Sequence, residues 1–166
     1  INNIKSLFFL ENSSNHLLIW DSLEPPPRHN NIVLWNSFFS ELGPKAVSIP
    51  QLVEDNGDYF KKIYLNYIYD LGRKKLNGLS LIEHLQIRNN FSYWWSTPII
   101  EKSNYSKSIW INTAIYLIAL EEWANDNVIK DLKVVSSNKK LAKSLKLWCK
   151  RKNINFCWVR LFKKKS

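Results

Sequence analysis

Apolar residues in the first fifty positions come in short runs separated by turn chemistry. Ile4–Leu10 (IKSLFFL), His16–Trp20 (HLLIW), Asn31–Trp35 (NIVLW) and Ala46–Ile49 (AVSI) each predict a short strand. Between the first two, ENSSN supplies side chains that compete locally for backbone hydrogen bonds. Pro25, Pro26 and Pro27 then force an extended, non-helical connection. Asn36 or Ser37 predicts a cap for a brief helical turn that stops at Gly43-Pro44.

From Pro50 the period lengthens. Pro is tolerated in a helix's first turn, Gly57 breaks or bends the helix it opens, and Asp58 is placed to cap the next helical stretch. Phe60, Ile63, Tyr64, Tyr67, Ile68 and Leu71 recur at helical spacing and form one stripe. Asn77-Gly78 predicts a turn, and Ser80-Leu-Ile-Glu83 a capping box opening a short helix. A second helix, from about Lys107 to Ala124, is apolar nearly all round, which predicts burial between layers.

The C-terminal third predicts a βαβ unit with parallel strands: Leu132–Ser136, a helix Lys139–Lys152 capped by Ser137 or Asn138, a left-handed cap at Asn153, and Asn155–Leu161. Lys139, Lys143, Lys146 and Lys150 fall on the helix face opposite Leu141, Leu145 and Trp148, the solvated face of an ordinary surface helix. Together these elements predict an α/β, Rossmann-like fold, an open and mostly parallel sheet flanked by helices. At 166 residues it is expected to form a single domain, 1–166. The chain starts at Ile1 and contains no Met, so it reads as an excised or processed piece of a longer protein.

Composition narrows the chemistry. Hydrophobic content of 45% with eight Trp excludes a disordered chain. The two Cys and three His are scattered, without metal-ligand spacing, so neither a metal nor a disulfide framework is expected and a cytoplasmic setting is the default. With four Gly there is no phosphate-cradling loop, no dinucleotide fingerprint and no nucleophile elbow, and no cofactor is expected. Backbone N–H groups at Ser136-Ser137-Asn138, a helix start after a strand, offer a weak phosphate position. The net charge of +10 suits nucleic acid, anionic lipid or a phosphorylated substrate, although residue usage rich in Asn, Ile and Lys accounts for part of it.

The densest stretch is NNFSYWWSTPIIEKSNYSKSIW, where Phe91, Tyr93, Trp94 and Trp95 precede Glu101-Lys102-Ser103. An aromatic platform beside fixed charges suits a sugar ring, and two adjacent bulky aromatics equally suit a core. Asn36, Ser37 and Glu41 lie just past strands, where open α/β sheets bind ligands.

Leu34 to Trp123, and above all Trp94-Trp95 followed by Glu101-Lys102-Ser103, resembles the N-terminal part of a family of bacterial surface-carbohydrate biosynthesis proteins associated with lipopolysaccharide and O-antigen assembly. The resemblance implies a metal-independent GT-B glycosyltransferase in which this chain is the acceptor-side domain. Its partners would be a sugar nucleotide and a glycan or lipid-linked acceptor, at a cytoplasmic site; the basic charge adds peripheral contact with an anionic inner membrane as a further expectation. On that reading Glu101 is the first candidate base, ahead of Glu41 and Asp55. Trp94, Trp95, Arg88, Lys102, Ser103 and Asn36 are substrate-binding candidates. The alternatives are a basic nucleic-acid-binding domain, against which no recognition motif is present, and a non-catalytic scaffold in a sugar-assembly complex.

Overall fold

The computed structural model of the chain describes residues 15–22, 24–27, 31–38, 46–100 and 109–162. The strand expected at Ile4–Leu10 and most of the helical turn expected after Asn36 lie outside these residues. Two compact units account for the chain: Ile1–Asp55 with Leu120–Ser166, and Asn56–Ala119.

The first unit is an α/β, Rossmann-like sheet. Its strands are β1 (His16–Asp21), β2 (Ile32–Leu34), β3 (Ala46–Ser48), β8 (Asp131–Ser136) and β9 (Asn155–Arg160), in the order β3-β2-β1-β8-β9. Every pairing in it is parallel. Leu17 to Trp20 and Ile32 to Leu34 are buried without alternation, as inner strands covered on both faces must be. One face of the core gathers Leu18, Trp20, Ile32, Leu34 and Val135. Each such side chain contributes about 1.5–3 kcal/mol when fully buried.

The helices arise from local chemistry. The hydroxyl of Ser48 accepts from the Gln51 N–H at 3.2 Å and so caps α1 (Ile49–Asp55). Asn138 caps α5 (Lys139–Lys152) with its side-chain oxygen, which accepts from Lys140 N–H at 3.0 Å and Leu141 N–H at 3.1 Å. Asn153, at φ 57°, closes that helix in the left-handed conformation, and β9 comes next, so the expected βαβ unit is present. Leu141, Ala142, Leu145, Trp148 and Cys149 are the buried face, and Lys139, Lys143, Lys146 and Lys150 are exposed.

The second unit begins with α2 (Gly57–Arg73). Asn56, not Asp58, holds the N-cap position, and Asp58 sits in the first turn, where a carboxylate complements the helix dipole. Phe60 and Ile68 of the expected stripe are buried, whereas Tyr67 is exposed. Tyr64 is half-buried and donates its hydroxyl to the Ile99 carbonyl at 2.9 Å; burial, then Tyr67, raises its pKa. Two hairpins come after α2. In β4 (Lys75–Leu76) and β5 (Leu79–Ser80), both turn residues have positive φ, Asn77 at 51° and Gly78 at 88°, a type I′ turn. The capping box at Ser80 opens the one-turn α3 (Leu81–His84). The second hairpin, β6 (Gln86–Arg88) with β7 (Phe91–Ser92), was not expected; Asn90, at φ 61°, makes its turn possible.

A 3₁₀ turn, Tyr93–Ser96, and α4 (Ile109–Asn125) complete the elements among the described residues. Ala119 and Leu120 of α4 are buried, while Ile115, Leu117 and Ile118, expected to be enclosed, are half-buried. The end of α4 meets α5 within the first unit, where Arg151 donates to both Glu121 oxygens at 2.9 Å. Among the described residues no helix is long and apolar enough to cross a membrane.

A Cβ added to Gly72 would lie 2.7 Å from Trp94 Nε1 and 2.8 Å from its Cε2. Gly72→Ala should therefore lower stability, the overpacking costing about 1–3 kcal/mol and the roughly 1 kcal/mol that Ala gains over Gly in a helix offsetting part of it. Urea denaturation checks this. Burial pushes the Cys149 thiol up to about 11 from an ordinary value of 9.0. The folded state thus favours the protonated thiol. Its contribution is full below pH 9.0 and is lost as pH rises through about 11. Cys149→Ala should flatten the fall in stability over that window, measured against the parent chain.

Candidate active site

The order of the sheet decides where a ligand crevice can lie. From β1 the chain steps outward to β2 and β3, then returns after residue 119 on the other side of β1 with β8 and β9. The direction of winding therefore reverses between β1 and β8. In open α/β sheets ligands bind at such a reversal, outside the carboxyl ends of the strands.

Asp21 and Ser136 stand there, the last register pair of the β1/β8 ladder. The Ser136 hydroxyl donates to Asp21 Oδ2 at 2.5 Å and accepts the Asn138 N–H at 2.8 Å. Its proton is therefore aimed at the carboxylate. The Asn36 side-chain amide, just past β2, donates to Asp21 Oδ1 at 2.6 Å. Each carboxylate oxygen thus receives one of these donors and keeps a second lone-pair direction. Ser136 is fully buried, Asp21 half-buried and Asn36 exposed, so the group runs from the core out to water.

The surrounding backbone is held as firmly. The Ser136 carbonyl accepts from the Trp158 indole at 3.1 Å and from the Leu161 N–H at 3.2 Å. Beyond Asp21 the chain turns at once: Glu24 N–H donates to the Ser22 hydroxyl at 3.1 Å, and the Trp20 indole donates to the Glu24 carbonyl at 2.8 Å. On β9, Arg160 is the register partner of Ser136, which places it on the same face of the sheet as Asp21 and Ser136. Its guanidinium carbon lies 5.5 Å from the Phe162 ring centroid. A carboxylate, a hydroxyl and a guanidinium thus occupy three neighbouring strand ends.

No protein-family model matches this chain, and no curated protein or solved structure matches it significantly.

Of the residues singled out in the sequence, Asn36 lies in this group. Ser37 lends its carbonyl to the Ser48 hydroxyl at 2.8 Å. Arg88, Trp94 and Trp95 belong to the second unit. Trp94 is 6% exposed and packs over Gly72, whereas Trp95 is 55% exposed. Arg88 stacks over Phe91, 5.2 Å from the ring centroid. Glu41, Glu101, Lys102 and Ser103 lie outside the described residues. Asp55 ends α1 and is exposed. Among the described residues no cluster of three or more His, Cys, Asp or Glu is placed to hold a metal ion.

Asp21 was not among the residues singled out in the sequence. The available signal was its position as the acid that directly ends the apolar run HLLIW, matched by the Ser that ends LKVVS.

Chemically, a half-buried carboxylate fixed by two donors can accept a hydroxyl proton or orient a polyol. Replacing Ser136 with Ala should orphan the Asn138 N–H and remove one donor from Asp21. A loss of about 1–3 kcal/mol is expected, read from the urea midpoint. Asn36→Ala, at an exposed position, should cost markedly less in the same measurement.

Proposed function

We propose that the chain is the acceptor-side domain of a glycosyltransferase-like enzyme in bacterial surface-polysaccharide assembly. It would act at the cytoplasmic side with a sugar nucleotide as donor and a glycan or lipid-linked acceptor. The observation that carries this reading is the Asp21 carboxylate, fixed at the topological reversal by Ser136 and Asn36 with acceptor capacity to spare. The resemblance of Leu34 to Trp123 to surface-carbohydrate proteins supports it independently.

In the proposed step an acceptor hydroxyl donates its proton to Asp21 as its oxygen bonds to the anomeric carbon. The bond from that carbon to the phosphate oxygen breaks, and the nucleotide leaves with the electron pair. Asp21 takes the role of base that the sequence first suggested for Glu101. Asn36 and Ser136 hold the carboxylate in place, and Arg160 supplies a positive charge at the same edge.

The nucleic-acid alternative draws on the +10 charge and the exposed lysine row of α5. It predicts binding that weakens steeply with salt. The transferase reading predicts that Asp21→Asn lowers nucleotide release from a sugar-nucleotide and acceptor panel by about 10²–10⁴-fold, with the circular-dichroism spectrum unchanged. A folded Asp21→Asn protein with parental transfer rates would remove Asp21 from the mechanism.

A further inference from the structure

The second unit carries a surface that the sheet-edge chemistry does not use. Its two hairpins present large apolar side chains to water: Leu76 and Leu79, both 48% exposed, face each other beside the Asn77-Gly78 turn, and Ile87 is 66% exposed beside the Asn89-Asn90 turn. Phe91, Tyr93 and Trp95 are exposed as well. Apolar residues gathered at two hairpins braced on one helical turn make a candidate contact surface.

Local geometry holds these turns out firmly. The His84 ring meets the Leu76 carbonyl at 2.7 Å, the Ser92 hydroxyl donates to the Ile82 carbonyl at 2.6 Å, and the Tyr93 N–H donates to the Leu85 carbonyl at 2.8 Å. Both hairpins are thereby braced against the single turn of α3. The exposed side chains stand on a fixed frame, so burying them would require little ordering.

Charge identifies the partner. Between residues 73 and 95 there are four basic residues, Arg73, Lys74, Lys75 and Arg88, all exposed, against the single acid Glu83. Glu83 is turned back onto Ser80, accepting its N–H at 2.6 Å. Arg88 lies over the Phe91 ring, an arrangement in which the ring can enter an apolar layer while the guanidinium keeps its donors for phosphate. Trp95 and Tyr93 add the amphipathic rings that favour the headgroup level. A protein partner would need matching acidic and apolar patches, whereas an anionic bilayer surface supplies both at once.

We infer that the two hairpins of the second unit dock the protein on an anionic lipid surface, with Leu76, Leu79 and Ile87 entering the headgroup boundary and Arg73, Lys74, Lys75 and Arg88 meeting lipid phosphates. Arg88 and Trp95, candidates for sugar binding in the sequence, then serve membrane attachment. The inference does not depend on transferase activity, because its readout is lipid binding.

Vesicle flotation tests it. The chain should float with phosphatidylcholine vesicles containing phosphatidylglycerol and not with phosphatidylcholine alone, and salt should weaken the association. Lys74→Gln, Lys75→Gln and Arg88→Gln should each lower partitioning by about fivefold. Combined Leu76→Ser, Leu79→Ser and Ile87→Ser should lower it about tenfold or more. Circular dichroism confirms that these surface variants fold. Equal binding to neutral vesicles, or unchanged partitioning of the triple Ser variant, would overturn the inference. So would a concentration-dependent dimer abolished by those same substitutions, since the patch would then be covered by a second copy.

Discussion

The parallel ladder between β1 and β8 is the seam on which the first unit depends. It joins β1, β2 and β3 to β8 and β9, and in the strand order no other pairing links those two groups. Its inner register pairs, Leu17 with Leu132, Ile19 with Val134 and Trp20 with Val135, are buried. The seam is formed late in the chain, since Asp21 and Ser136 are 115 positions apart. The entropy of closing so long a loop grows slowly with length, so the insertion between β3 and β8 is tolerable once the seam is well buried. A slip of one residue along it would part Asp21 from Ser136 and lose their hydrogen bond.

Polar groups mark both ends of this seam, and the ends differ. At the start, His16 lies 3.4 Å from Asp131, which also accepts from the Asn155 side chain at 2.8 Å. At the finish, Asp21 is braced by Ser136 and Asn36, and the winding of the sheet reverses beside it. The second end gains its character from topology: β2 and β3 lie on one side of the β1/β8 pair and β9 on the other, so the winding of the sheet reverses there. The same register that fastens the sheet therefore sets a carboxylate at the end of the strands where the winding reverses.

How far the sequence could be read depends on the range of the interactions concerned. The βαβ unit, the Asn77-Gly78 turn and the Ser80 capping box were legible because each is settled within a few residues by capping, φ preference and periodicity. The second hairpin carried a weaker signal, Asn89-Asn90, without a Gly. The strand order was not legible, and so neither was the meeting of Asp21 with Ser136. Likewise the pair Trp94-Trp95 announced one core aromatic without saying which. The missing Cβ of Gly72, more than twenty positions earlier in the sequence, makes the room that selects Trp94.

The insertion of the second unit separates two physical demands. A parallel sheet needs continuous apolar strands and full cover, which leaves little freedom to place exposed Leu, Ile and Trp side chains. A segment entering after β3 and leaving before β8 interrupts no ladder, so its surface is free to be apolar and basic without cost to the core. In this chain the buried branched residues are concentrated in the sheet strands, and exposed large apolar side chains stand off them, Leu76, Leu79, Ile87 and Trp95 in the insertion and Phe38, Val128, Leu147 and Phe162 in the first unit. That division keeps the demands of a covered sheet apart from those of the exposed apolar side chains. The two requirements rest on different residues, so each can be altered while the other is left in place.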